Sequence, residues 1–126
     1  MYEITIETHF SSAHRLRQYN GECERLHGHN WDVKVSIASE ELNDLGMVMD
    51  FRELKGTTET LIDRFDHQYL NEVPPFTEIN PTTENIARYI FDELSETIDT
   101  CLTKVSKVTV WESPTSYASY NRSMGL

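Results

Sequence analysis

Hydrophobic and polar residues alternate with a period of two in "YEITIETHF". Tyr2, Ile4 and Ile6 share one side and Glu3, Thr5 and Glu7 the other, the pattern of a strand with one buried face. "NWDVKVSIAS" repeats the pattern, with Trp31, Val33, Val35 and Ile37 set against Asp32, Lys34 and Ser36, and is the clearest strand in the chain. The period then changes. In "DFRELKGTTETLIDRF", Leu54, Thr58, Leu61, Ile62 and Phe65 recur at the spacing of an amphipathic helix. That helix tolerates Gly56 at a cost of about 1 kcal/mol relative to alanine and is expected to end near "DHQYLN". "NPTTENIARYIFDELSETI" places Ile86, Ile90, Leu94 and Ile98 every fourth residue, with Pro81 in the first turn and Asn80 or Thr82 as the cap of a second helix. "KVSKVTVWES" returns to strand character: Val108 and Val110 lie on one face, and Glu112 falls on the same parity. Between the second strand and the first helix, "ASEELNDLGMVMDF" reads as a turn with one more short strand around "GMVMD". The order strand, strand, helix, helix, strand suits antiparallel pairing with both helices on one face. It predicts an α+β layer architecture rather than alternating β and α units.

Length and charge narrow what such a fold could do. The 126 residues suit one domain over 1–126, large enough to bury a core without disulfides. The opening "MYEITIETHF" has neither a basic leader nor an apolar signal core, and no apolar run approaches the length of a membrane span. A cytoplasmic, reducing location is therefore expected, in which Cys23 and Cys101 are catalytic, metal-binding or buried rather than bridged. Cys101, at the end of the second helix, is expected to pack as a small hydrophobe. A net charge of −10 argues against a nucleic-acid partner. Small molecules or further copies of the chain are the expected partners, with no membrane.

The chemistry concentrates in "GECERLHGHNWDVKVSI". His27 and His29 are two apart in an extended segment and so project to the same side. "FSSAH" supplies His14 just after the first strand. Three neutral imidazoles leave one position open on a tetrahedral Zn²⁺, the arrangement of a catalytic site. Cys23 is either a fourth ligand that closes the site or a reacting thiol whose pKa falls beside positive charge, and the spacing leaves both open. His9 is a weaker candidate, expected to face solvent. In "RFDHQYLN", Asp66 and His67 are adjacent. Within a turn such an aspartate can hold an imidazole in one tautomer and raise its basicity; the plainer reading is a helix end decorated by a histidine. Glu112, at a strand end, could accept two parallel N–H bonds from a guanidine-like heterocycle, or could be an ordinary surface glutamate.

The blocks "FSSAHRL", "CERLHGHNW", "GMVMDFRELK", "FDHQYLN", "PTTEN" and "VTVWES" come in that order and nearly span the chain. Together they resemble the 6-pyruvoyl-tetrahydropterin synthase superfamily, and most closely its 6-carboxy-5,6,7,8-tetrahydropterin synthase branch. The C-x3-H-G-H spacing resembles that branch rather than the animal pyruvoyl branch, whose insertion is longer. The resemblance implies a tunnelling fold: a four-stranded antiparallel sheet with two helices on one face, joined edge to edge into a barrel. It further implies a hexamer of stacked trimers with sites at subunit boundaries. His14, His27 and His29 would hold a catalytic Zn²⁺, Cys23 would transfer protons with Asp66 and His67 as the partner dyad, and Glu112 would anchor the pterin. The implied reaction converts 7,8-dihydroneopterin triphosphate to 6-carboxy-tetrahydropterin with loss of triphosphate and acetaldehyde, towards 7-deazaguanine nucleosides such as queuosine. A triphosphate needs local positive charge on an acidic protein, for which Arg15, Arg25 and Lys55 are the candidates. Two other readings stand beside this one. The first is a 6-pyruvoyl-tetrahydropterin synthase or dihydroneopterin side-chain lyase on the same fold. The second is a non-enzymatic zinc module closed by Cys23.

Overall fold

The computed structural model describes residues 1–17 and 26–122. Two thirteen-residue strands, β1 (Tyr2–His14) and β2 (His27–Ser39), run antiparallel along their whole length. They are followed by α1 (Phe51–Ile62), β3 (Gln68–Tyr69), α2 (Thr83–Ile98), β4 (Thr103–Ser113) and β5 (Ser116–Asn121). The sheet order is β3-β1-β2-β4-β5. The α+β architecture read from the sequence is therefore present, with four long antiparallel strands and both helices packed into one core.

Several elements differ from expectation, each for a local reason. The sheet has five strands rather than four, because β3 adds a two-residue parallel pairing at Ser12 and Ala13. What brings it there is Ser11, whose carbonyl accepts the His67 N–H and whose own N–H donates to Asp66 Oδ1 at 2.9 Å. β1 continues four residues past Phe10, so His14 is the last residue of the strand rather than a residue after it. The strand expected around "GMVMD" is replaced by a turn. Asn43 Oδ1 accepts from the N–H groups of Leu45 and Met47, and Gly46 takes the left-handed φ of 80° that closes the loop. α1 stops at Ile62, leaving Phe65 buried in the turn that follows. Thr82 caps α2, its Oγ1 accepting the Asn85 N–H, and Pro81 lies just before the cap rather than in the first turn. Cys101 is exposed rather than packed, since α2 ends before it and β4 begins after it.

One side of the sheet and the helix stripes close the core. Ile6, Phe10, Trp31, Val33, Val35, Ile37, Val108 and Val110 are buried against Leu54 and Ile62 of α1 and Ile86, Ile90 and Leu94 of α2. Each such side chain contributes roughly 1.5–3 kcal/mol on removal from water. At the end of β1 two asparagines hold the outgoing chain. Asn71 accepts the Arg15 N–H at 2.9 Å and donates to its carbonyl at 2.8 Å, and Asn80 accepts the Arg17 N–H at 2.9 Å. Among the described residues, no helix is long and apolar enough to cross a membrane.

Candidate active site

The β1–β2 register brings the histidines together. His14 lies opposite His27, and Ser12 lies opposite His29. Alternation places all three imidazoles on the core-facing side of the sheet, in line with Phe10 and Trp31 and past the end of the apolar core. Trp31 is their floor. It is fully buried, its ring stacks on Phe10 at 5.9 Å, and its face and edge meet His14 at 4.9 Å and His29 at 5.2 Å between ring centres. A wall of aromatic carbon below the imidazoles directs their polar atoms upward, towards one point.

The Nε2 atoms of His14 and His27 are 3.2 Å apart. His14 is buried, and its Nδ1 lies 2.8 Å from the Pro81 carbonyl. A carbonyl can only accept, so Nδ1 carries the proton and Nε2 presents a lone pair. Glu112 reaches the same point from β4: its Oε1 stands 2.9 Å from His29 Nε2, 3.4 Å from His14 Nε2 and 3.7 Å from His27 Nε2. His29 Nε2 is buried, and the Glu112 carboxylate is its close polar contact. Burial lowers the His29 pKa, aided by His27 and His14 and opposed by the Glu112 carboxylate, so the neutral, ligating form is favoured. Three lone-pair nitrogens and a carboxylate with all donor atoms inside 4.8 Å are a donor set that zinc accepts.

The second cluster borders an open groove of about 560 Å³, lined by Ser11, Gly28, His29, Asn30, His67 and Tyr69 among others. His67 Nδ1 is 3.1 Å from Asp66 Oδ2. The Asp66 carboxyl is held below its ordinary value, first by the Ser11 N–H and then by His67. His67 has a left-handed φ of 56°, unfavourable for a residue with a Cβ, and its backbone is fixed by the bond to Ser11. Its ring is largely exposed on the groove side.

His14, His27, His29 and Glu112 thus meet in one cluster, and Asp66 with His67 form the expected pair, His67 lining the same groove as His29. Cys23 and Arg25 lie outside the described residues. His9 is exposed, opposite Asp32. Lys55 lines a different cleft with Glu7 and Arg52, and among the described residues no lysine or arginine lines the groove. Sequence reasoning missed the Pro81 carbonyl and Ser11, which act through backbone atoms and leave no side-chain trace. It also left out the contact of Glu112 with the histidines, although the shared parity with Val108 and Val110 was a signal for it.

A family model described as 6-pyruvoyl tetrahydropterin synthase matches residues 3–123. The 6-carboxy-5,6,7,8-tetrahydropterin synthase of Bacillus subtilis is 34% identical, over 98% of this chain and 88% of its own. The 6-pyruvoyl tetrahydrobiopterin synthase of Dictyostelium discoideum is 38% identical over 72% of this chain and 76% of its own. Among solved structures, 6-pyruvoyl tetrahydropterin synthase of Caenorhabditis elegans superposes with a TM-score of 0.78 at 30% identity, covering 98% of both chains.

Proposed function

The chain belongs to the 6-pyruvoyl tetrahydropterin synthase family, and from that premise we propose that it is a zinc-dependent 6-carboxy-5,6,7,8-tetrahydropterin synthase. Its substrate is 7,8-dihydroneopterin triphosphate, which with water gives 6-carboxy-tetrahydropterin, acetaldehyde and triphosphate, an early step towards 7-deazaguanine nucleosides. The observation that carries this reading is the convergence of His14, His27 and His29 at one point, with His29 and His67 lining the same groove and Asp66 paired to His67. The C-x3-H-G-H spacing and the B. subtilis relative favour the carboxy product.

His14, His27 and His29 would hold the zinc, which when bound supplies Lewis-acid polarisation of substrate oxygens. The remaining work falls to side chains. His67 exchanges a proton through Nε2 while Asp66 fixes the opposite nitrogen as N–H. Cys23 is the second proton carrier. Glu112 accepts the paired N–H groups of the aminopyrimidine ring, which orients the side chain; such orientation can lower a barrier by several kcal/mol. The assembly is a hexamer, a proposal supported by the sheet edges. Among the described residues, β5 has a partner on one side only, and β1 is paired on its outer side only at Ser12 and Ala13.

Product analysis by mass spectrometry of zinc-loaded protein with 7,8-dihydroneopterin triphosphate tests the reading, with sedimentation equilibrium on the same sample. Expected are 6-carboxy-tetrahydropterin and acetaldehyde, from a species six times the chain mass. The D. discoideum relative gives the alternative its specific support: 6-pyruvoyl-tetrahydropterin without acetaldehyde would assign the chain to that activity. Cys23→Ala separates both from a structural zinc module, since an enzyme variant keeps zinc and fold while losing turnover.

A further inference from the structure

Both helices lie on the core side of the sheet, and among the described residues strands alone line a hollow of about 280 Å³ on its other side. The floor of this hollow is polar yet closed. Ser36 and Thr109 are only 5% and 4% exposed, and their hydroxyls are paired: Thr5 Oγ1 with Ser36 Oγ at 2.7 Å, and Thr109 Oγ1 with Ser119 Oγ at 2.8 Å. Two ammonium groups stand over it. Lys34 lies opposite Thr109 and Lys107 opposite Ser36, so the lysines are diagonal neighbours across β2 and β4, within reach of one ligand. Trp111 and Tyr117 form a wall, their ring centres 5.2 Å apart, and Tyr117 is 63% exposed. A β-bulge at Glu112, where Trp111 pairs with Tyr117 and Ser113 with Ser116, separates this wall from the histidine cluster. The Glu112 carboxylate meets the imidazoles, while Trp111 lines the hollow.

The chain carries 21 acidic side chains against 11 lysines and arginines, yet among the described residues neither Lys34 nor Lys107 lies within ion-pairing distance of a carboxylate. Glu7 is opposite Lys34 in the β1–β2 register without pairing to it, and Glu3, the carboxylate that lines the hollow, is bound by Ser106 Oγ at 3.0 Å. Two like charges on one concave surface repel each other until an anion sits between them. The exposed aromatic wall beside them favours a flat ligand over a bare ion. We propose that this hollow is a second binding site, distinct from the histidine cluster, for a planar heterocycle carrying a carboxylate or a phosphate. The anion sits between Lys34 and Lys107, and the ring lies against Tyr117 and Trp111. A volume near the lower end of the roughly 300–1,000 Å³ of small-molecule pockets suits a single fused ring system. The carboxylated pterin proposed above as product has this chemistry, and so does a purine mononucleotide. The first of these probes, not the site, rests on the proposed reaction.

Calorimetric titration of the full-length protein with 6-carboxypterin, with guanosine monophosphate and with inorganic phosphate tests the site. The wild type is compared with the Lys34→Gln/Lys107→Gln double variant, with Tyr117→Ser and with Glu112→Gln, and circular dichroism checks each fold. Expected is a site for at least one of the two heterocycles that persists in Glu112→Gln. Its affinity falls at least about tenfold in the double lysine variant, as the loss of charge-assisted bonds implies, and about fivefold in Tyr117→Ser, as lost stacking implies. Turnover of 7,8-dihydroneopterin triphosphate is unchanged in the lysine variant, and the tighter heterocycle identifies the source of the ligand. Inorganic phosphate binding as tightly as either heterocycle would overturn the proposal. So would binding that is lost in Glu112→Gln and kept in the lysine variant, which would place it all at the histidine cluster. No binding by the folded wild type would overturn it as well, the result expected if a second copy covers this face. Lysine-dependent binding by a wild type without turnover would sink only the reaction proposed above.

Discussion

At the residue scale the division of labour follows from which atoms are already committed. His14 gives one nitrogen to the Pro81 carbonyl and so has only Nε2 for a metal. His67 gives Nδ1 to Asp66, which leaves Nε2 for the proposed proton transfer. Asp66→Asn preserves an acceptor for the Ser11 N–H but removes the carboxylate that faces His67 Nδ1. The expected result is near-native stability with kcat down about a hundredfold, the lower end of what a placed acid–base group contributes. Steady-state kinetics beside a thermal melt checks this, and an unchanged kcat would contradict it. The sign of the pH effect follows from the Asp66 carboxyl lying below its ordinary value of 3.8. A depressed carboxyl stabilises the fold above its unfolded pKa and loses that contribution as pH falls through the folded one. The Ser11 tie should thus outlast the titration of ordinary carboxylates, which a carboxyl NMR titration would record. The histidine trio was legible because H-x-H on a strand has only one geometry. The direction of Glu112 was half legible from parity, whereas its bulge depends on β5, which the pattern did not announce.

At the scale of elements, the site stands on the two longest strands, and these were the most readable. "NWDVKVSIAS" alternates without a break, and every inward residue from Trp31 to Ile37 is buried as the pattern requires. α2 was equally plain, its stripe of Ile86, Ile90 and Leu94 lying wholly in the core. β5 escaped because "SYASYN" has small and aromatic residues on both faces: Tyr117 is exposed beside Trp111, while Tyr120 packs partly on the core against Phe91. β3 escaped because two residues carry no period at all. Trp31 joins element to site, being at once core and floor. Trp31→Ala is expected to cost about 3–5 kcal/mol in a denaturant melt and to weaken zinc binding as well, because the imidazoles lose the wall that aims them. A loss of stability with unchanged zinc affinity would show that the β1–β2 register alone holds the histidines.

On the scale of the whole molecule, a charge of −10 and the proposed triphosphate substrate pull against each other. Among the described residues the groove offers histidines, serine and asparagine but no lysine or arginine. Of the three cationic candidates, Lys55 lies in another cleft, Arg25 lies outside the described residues, and Arg15, next in the chain to His14, has a buried Nε without a hydrogen-bond partner among the described residues. Neither the open edges nor the empty share of cationic groups could be read from periodicity, which reports burial within one chain and nothing of what lies beside it. What joins all three scales is the meeting point of β1, β2 and β4, where the proposed zinc would bind. Acetaldehyde release should be followed as zinc is returned stepwise to metal-free protein in the presence of 7,8-dihydroneopterin triphosphate. The account predicts that release rises with added zinc and saturates at one zinc per chain. Full release by the metal-free protein, or none at saturating zinc, would contradict it.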